Sequence, residues 1–166
     1  MRAVFLASVT LHLLAAIFWL GGMFFLGVVG APMLRRIEPA ELRQQLFHGL
    51  GVRFRTLGWW AIAVLVVTGV VNLRARGWLA WEGVLGSRAF WATAAGHALA
   101  WKLGVVALMI AVSAVHDFVL GPRAGLAAPG SAEALALRSR AAWAARVNAL
   151  AGVALVLVAV RLARGG

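Results

Sequence analysis

Four long stretches of apolar residues dominate the chain, and most charged residues fall between them. The stretches lie at about residues 3–34, 56–73, 91–120 and 141–162. A helix needs roughly 20 apolar residues to cross the hydrocarbon layer of a bilayer. The pattern therefore predicts an all-α integral membrane protein, with one four-helix transmembrane bundle occupying residues 1–166.

The segment between the first two stretches, residues 38–55, is more polar and has a helical pattern of its own. Pro39 suits the first turn of a helix. Apolar residues then recur every four positions, at Leu42, Leu46 and Leu50. We expect a short amphipathic connector helix here, lying on the membrane surface. Two prolines, Pro32 and Pro122, are expected to end the first and third spans.

Composition agrees with a membrane protein and excludes several kinds of site. Hydrophobic residues make up 63% of the chain and charged residues 13%, which leaves too little polar surface for a soluble protein of this size. The chain has no cysteine, so it can form no disulfide, thiolate zinc site or cysteine nucleophile. Its net charge of +11 comes from arginines that flank apolar segments, which favours contact with the lipid bilayer and argues against nucleic acid as a partner.

The distribution of arginine predicts an orientation in the inner (plasma) membrane. The loops after the first and third spans are richer in arginine than the termini and the middle loop. Under the positive-inside rule, both termini then lie on the outer side. A cleaved signal peptide is a less favoured interpretation of the first stretch, because 3–34 is longer than a signal sequence requires.

Ionisable residues inside the spans are the candidates for function. A charge in lipid costs several kcal/mol unless it is paired, ligated or facing water. The candidates are His12, His97, Lys102 and Arg146.

His12 shares one helical face with Trp19 and Met23, and Gly22 lies beside this face. An imidazole, a thioether and small residues on one face suit a ligand that needs close approach to the backbone. The alternative is that His12 forms a hydrogen bond across helices and that the glycines serve packing.

Lys102, the only lysine, shares a side of the third span with Met109 and His116. It is a candidate for an axial ligand or for the partner of an anion such as a haem propionate; the alternative is that it reaches the nearby headgroups. His97 lies about 140° around the helix from Lys102, so only one of the two can face a given partner. His12 and His97 together could hold a b-type haem, or His97 could be an unliganded residue near the interface.

His48 and His116 fall toward the opposite side of the membrane. They could form a second metal or haem site. The alternative is that both are interfacial residues, since both lie next to loops.

The order and spacing of several short motifs resemble the copper-resistance protein D (CopD) domain. In chain order these are His12–Gly22 (HLLAAIFWLGG), Thr68–Gly69, Gly96 with Trp101–Lys102–Leu103, and Gly121–Pro122–Arg123. His12 and Lys102 are also reminiscent of HemJ-type protoporphyrinogen oxidases, and both groups resemble the di-haem cytochrome b superfamily of four-helix membrane proteins. The resemblance implies copper passage or a haem-dependent redox role, with His12 and Lys102 as the residues that carry over.

Our leading hypothesis is that haem b binds between the first and third spans for electron transfer. His12 would be one ligand, with His97 or Lys102 opposite, and Lys102 or Arg146 would meet a propionate. Quinol or a redox protein would exchange the electrons, which leaves open a haem-dependent membrane oxidoreductase. The alternatives are copper transport along His12, Met23 and Met109, and a structural membrane subunit. Homo-oligomerisation is left open.

Overall fold

A computed structural model describes residues 2–79, 84–128 and 130–163 of the chain. Its main elements are four long helices: α1 (Arg2–Leu34), α2 (Ala40–Ala75), α3 (Ala94–Leu126) and α4 (Ala132–Ala163). The described part contains no β-strand, and all four helices are long and apolar enough to cross a membrane. This confirms the predicted all-α membrane fold.

The connector is helical, as its pattern of leucines predicts, but it is not a separate helix. It forms the beginning of α2, which runs without interruption from Ala40 to Ala75. The segment has no glycine pair or proline after Pro39 that would stop the helix. The apolar stretch at 56–73 is therefore only the second half of α2, and the first half projects beyond it.

Two short π-helical segments allow α1 and α3 to continue past the prolines that were expected to end them. They are Leu26–Gly30, just before Pro32, and His116–Leu120, just before Pro122. Proline lacks an N–H and crowds the preceding turn of an α-helix. The wider π turn shifts the hydrogen bonds by one residue, so the helix accommodates the proline. The expectation that α3 stops at Gly121–Pro122 was wrong, since it continues to Leu126.

The helices pack as two hairpins. The closest helix pairs are α1 with α2 and α3 with α4, and α1 also contacts α4. We call the end of the bundle where α1 and α3 begin the terminal end, and the end where α1 and α3 finish the connector end. Since α2 and α4 run in the opposite direction, the last turns of α2 also belong to the terminal end.

A small apolar core at mid-height joins the two hairpins. It consists of Trp19 from α1, Ala61 and Ile62 from α2, and Met109 from α3. Met109 is completely buried, at 0% exposure. Glycines make room for these side chains: Trp19 packs over Gly58. Most of the larger apolar side chains instead point outward, as expected for helices surrounded by lipid.

Candidate functional site

The terminal end holds His12 in a fixed orientation. Its Nδ1 lies 2.7 Å from the hydroxyl oxygen of Thr68, and the same hydroxyl lies 2.6 Å from the carbonyl oxygen of Val64. A hydroxyl has one proton to donate, and the carbonyl can only accept. The Thr68 hydroxyl therefore donates to Val64 and accepts from His12, so the imidazole carries its proton on Nδ1. Its Nε2 keeps a free lone pair, which can bind a metal or accept a proton.

The seam between α1 and α2 is closely packed around this histidine. Gly69 leaves space for the ring, because a Cβ at that position would lie 3.7 Å from Cε1 of His12. One turn earlier on α1, the buried Ser8 hydroxyl donates to the carbonyl oxygen of Thr68, at 3.4 Å. The hydroxyl and the main-chain carbonyl of Thr68 thus both accept hydrogen bonds from α1. These two bonds hold α1 against α2 and limit rotation of the imidazole.

Lys102 brings positive charge to the same end. It is half-buried on α3 and lies within electrostatic range of the His12 imidazole, and Arg76 in turn lies within electrostatic range of Lys102. Among the described residues, the only ion pairs within 4 Å are Arg43–Glu38 and His116–Asp117, so Lys102 forms no ion pair with a carboxylate in the part of the chain that the structure describes. A half-buried cation without a counter-ion favours a ligand that carries negative charge.

The other predicted ligands lie in different surroundings. His97 and Arg146 are exposed on α3 and α4. Met109 is part of the core, and Met23 packs against it. Gly22 lies against the ring of Phe54, so its small size serves helix packing. In the parts of the chain that the structure describes, no three histidine or acidic side chains come together as a metal site.

The connector end contains a second polar cluster, centred on Asp117. One carboxylate oxygen lies 2.8 Å from Nδ1 of His116, and the other accepts from the indole N–H of Trp59 at 2.9 Å. The main-chain carbonyl of Asp117 accepts from Arg55 at 3.1 Å. His48, which the sequence placed with His116, is exposed and lies beside Gly125 instead.

Sequence reasoning did not identify Asp117, Trp59 and Arg55 as a cluster. One signal was available, because Asp117 is the only acidic residue within the four apolar stretches. Buried carboxylates need donors, so its position alone indicated a polar network. Which donors it would find depended on the packing of α2 against α3.

A third polar contact lies inside the α3–α4 hairpin. The side-chain amide of Asn148 donates to the Ser113 hydroxyl at 2.7 Å. The side-chain oxygen of Asn148 is buried and has no partner in the described part of the chain. A hydrogen bond of this kind is sufficient to stabilise helix association in a membrane.

Comparison with known proteins identifies the family. The family model for copper resistance protein D matches residues 49–162, which include Thr68, Lys102 and Asp117 but not His12. A protein of Aquifex aeolicus (strain VF5) described as uncharacterized is 30% identical over 156 residues, 93% of this chain and 92% of that protein. No solved structure matches the chain significantly. The chain belongs to the copper resistance protein D (CopD) family.

Proposed function

We propose that this CopD-family protein binds haem b at the terminal end of the bundle and uses it for electron transfer in the membrane. The observation that carries the proposal is the Nε2 of His12, which has no partner among the described residues and is held in position by Thr68, beside Lys102, which forms no ion pair within 4 Å in the same part of the chain. An imidazole of fixed tautomer and a nearby cation match the two chemical features of haem b, an iron that needs axial ligands and two anionic propionates.

The residues at this end fit haem b better than they fit a bare cation. Lys102 and Arg76 would repel a copper ion at Nε2 of His12, whereas they would attract propionates. The core at mid-height is filled by Trp19 and Met109, so the group would lie nearer the terminal end. The helices α1 and α3 are not among the closely packed pairs of the described bundle, so a group bound between them would not have to separate a tight helix contact.

Bound haem would supply one-electron redox chemistry. The residues of the chain have separate parts in this proposal. Thr68 fixes the tautomer and plane of the His12 ring, and Lys102 provides a positive charge that stabilises the reduced, more negative state. Lys102 itself or His97 would be the second residue to hold the group, and His97 would have to turn inward from its exposed position. Quinol or a redox protein remains our proposed electron partner.

Copper passage is a second candidate, and the name of the family favours it. Cuprous ion prefers thioether and imidazole ligands, and the bundle interior contains Met109 with Met23 packed against the same core. In this alternative an ion would pass from His12 through the two methionines. The charge of Lys102 opposes the first step, which is why we rank this function second.

One preparation distinguishes the two candidates. The protein is purified from cells supplied with both haem and copper, and its absorption spectrum and metal content are measured. The haem proposal predicts a red sample whose Soret band shifts on reduction with dithionite. His12→Ala should abolish the band, whereas His48→Ala, a matched change of an exposed histidine, should retain it. A colourless sample containing copper that His12→Ala loses would instead support copper passage, and a colourless sample without metal would reject both.

A further inference from the structure

We propose that a groove at the connector end binds the phosphate headgroup of an anionic phospholipid, with an acyl chain lying along its aromatic wall. The groove is lined by Arg55, Thr56, Trp59, Trp60 and Phe118 and lies between α2 and α3. It lies at the opposite end of the bundle from His12, so this inference does not depend on the proposed haem site.

The wall of the groove is aromatic and turned toward lipid. Trp59 and Phe118 pack with their ring centroids 5.3 Å apart. Trp60 and Phe118 are 70% and 59% exposed, although both are large and apolar. Aromatic side chains with this exposure, near the end of a membrane span, are typical of the region where acyl chains meet headgroups.

Arg55 is fixed at the edge of this wall by the π-helical segment of α3. In that segment the N–H of Gly121 bonds to the carbonyl of His116, five residues earlier. The next bond in the same register would join Asp117 to residue 122, which is a proline and has no N–H. The carbonyl of Asp117 is thereby left without a backbone donor, and Arg55 donates to it at 3.1 Å. The guanidinium also lies 6.0 Å from the centroid of the Phe118 ring.

Arg55 forms no direct ion pair with the carboxylate of Asp117. Both carboxylate oxygens of Asp117 are engaged by other groups, His116 and Trp59. Within the described ranges, Arg55 forms no ion pair shorter than 4 Å. A guanidinium has five N–H donors, and this one uses a single donor on the carbonyl, so several remain for an anion.

The position of Arg55 along α2 points to a phospholipid phosphate as that anion. Arg53 and Arg55 directly precede the charge-free stretch 56–73, so Arg55 lies where the hydrocarbon layer begins. A phosphate bound there places its acyl chains beside Trp60 and Phe118. A guanidinium and a phosphate form a charge-assisted, bidentate pair, which gives the site preference over zwitterionic or neutral headgroups.

The test is native mass spectrometry of the purified protein titrated with phosphatidylglycerol or phosphatidylcholine. The wild-type chain should retain phosphatidylglycerol about fivefold more tightly, which corresponds to ~1 kcal/mol for one arginine near anionic lipid. Arg55→Gln should remove this preference. Arg53→Gln, two residues away on an exposed position outside the groove, should leave it unchanged. Equal losses in the two variants, or no loss in either, would overturn the proposal.

Two further measurements cover the acyl chain and the case in which Arg55→Gln fails to fold. Trp60→Ala changes a residue of the groove wall and should weaken binding of both lipids. Trp143→Ala is the control, because Trp143 is similarly exposed, at 66%, but does not line the groove; it should leave binding unchanged. Unchanged binding in Trp60→Ala would refute the site along Trp60. Glycerol 3-phosphate in large excess should not displace phosphatidylglycerol; displacement would refute the acyl-chain contact and leave a phosphate site for soluble anions.

Discussion

The two ends of the bundle hold their polar groups in different ways. At the connector end, both carboxylate oxygens of Asp117 have a donor, and even its main-chain carbonyl is satisfied by Arg55. At the terminal end, the one side chain within hydrogen-bond distance of His12 among the described residues is Thr68, and neither its Nε2 nor the ammonium of Lys102 has a partner in that part of the chain. A network in which every polar group has a partner mainly stabilises the fold. A ligand instead needs a lone pair or a charge that no protein group already engages.

The ends also differ in which helices their hydrogen bonds connect. The bond from Trp59 to Asp117 joins α2 to α3 and so links the two hairpins. The bond from His12 to Thr68 stays within the first hairpin, and Lys102, which lies on the second hairpin, forms no hydrogen bond with either residue. As far as the described residues go, a group could therefore bind between the hairpins at the terminal end without breaking a side-chain hydrogen bond between them.

The largest expected effect tests whether the connector end is structural. Asp117→Leu removes the acceptor of Trp59 and His116 and leaves the indole N–H in an apolar wall. We expect it to lower the free energy of unfolding by about 2–4 kcal/mol, measured by thermal unfolding in detergent, while any haem bound at His12 is retained per folded chain. Glu38→Gln, which alters an exposed ion pair, is the control and should change little. A stable variant that lost the haem would reverse our assignment of the two ends.

Removing the hydroxyl that orients His12 should affect the ligand more than the fold. Thr68→Val keeps the shape of the side chain but leaves Nδ1 of His12 without its acceptor. The loss of such a supporting hydrogen bond costs about 10–100-fold in affinity at metal sites, and we expect a comparable fall in haem retention during titration with a competing apoprotein. Thr56→Val, at an exposed position of the same helix, serves as the matched control. Equal retention in both variants would contradict the role assigned to Thr68.

The charge beside His12 should be visible in a redox measurement. In the proposed haem complex, Lys102 would stabilise the reduced, more negative state, so Lys102→Gln should lower the midpoint potential. A tenfold change in the one-electron equilibrium corresponds to about 60 mV, and we expect a decrease of roughly that size in a potentiometric titration. Lys102→Arg keeps the charge and should stay close to the wild-type potential. A fall of equal size in Lys102→Arg would indicate that Lys102 binds the iron and is not a counter-charge.

The smallest expected effect concerns the hydrogen bond behind Thr68. Ser8→Ala removes a long contact of 3.4 Å, and hydrogen bonds between membrane helices contribute on average about 0.6 kcal/mol. Thermal unfolding should therefore change by no more than this amount, well below the effect of Asp117→Leu. A loss as large as that of Asp117→Leu would show that the two ends contribute equally to stability, and the comparison between them would fail.

Much of the fold could be predicted because it follows from local pattern. The four apolar stretches predict the four helices, and the leucines at 42, 46 and 50 predict the helical connector. The pattern could not show that the connector continues into α2, because periodicity does not mark where one helix stops in the absence of a breaker. It also placed the end of α3 at Pro122, since a π turn has no clear signature in a single sequence.

His12 and Lys102 could be singled out from sequence alone because lipid penalises every ionisable group inside a span, whatever the fold around it. Chain length, apolar content and helical periodicity likewise determined a four-helix membrane protein. Only the packed bundle decided that the hydroxyl of Thr68, 56 residues away, would accept a hydrogen bond from Nδ1 of His12, and that Trp59 and Arg55 would donate to Asp117. The physical reason is that apolar content and periodicity are properties of each helix by itself. A hydrogen bond between helices also depends on how far the two helices are shifted along each other and on which faces they turn toward each other.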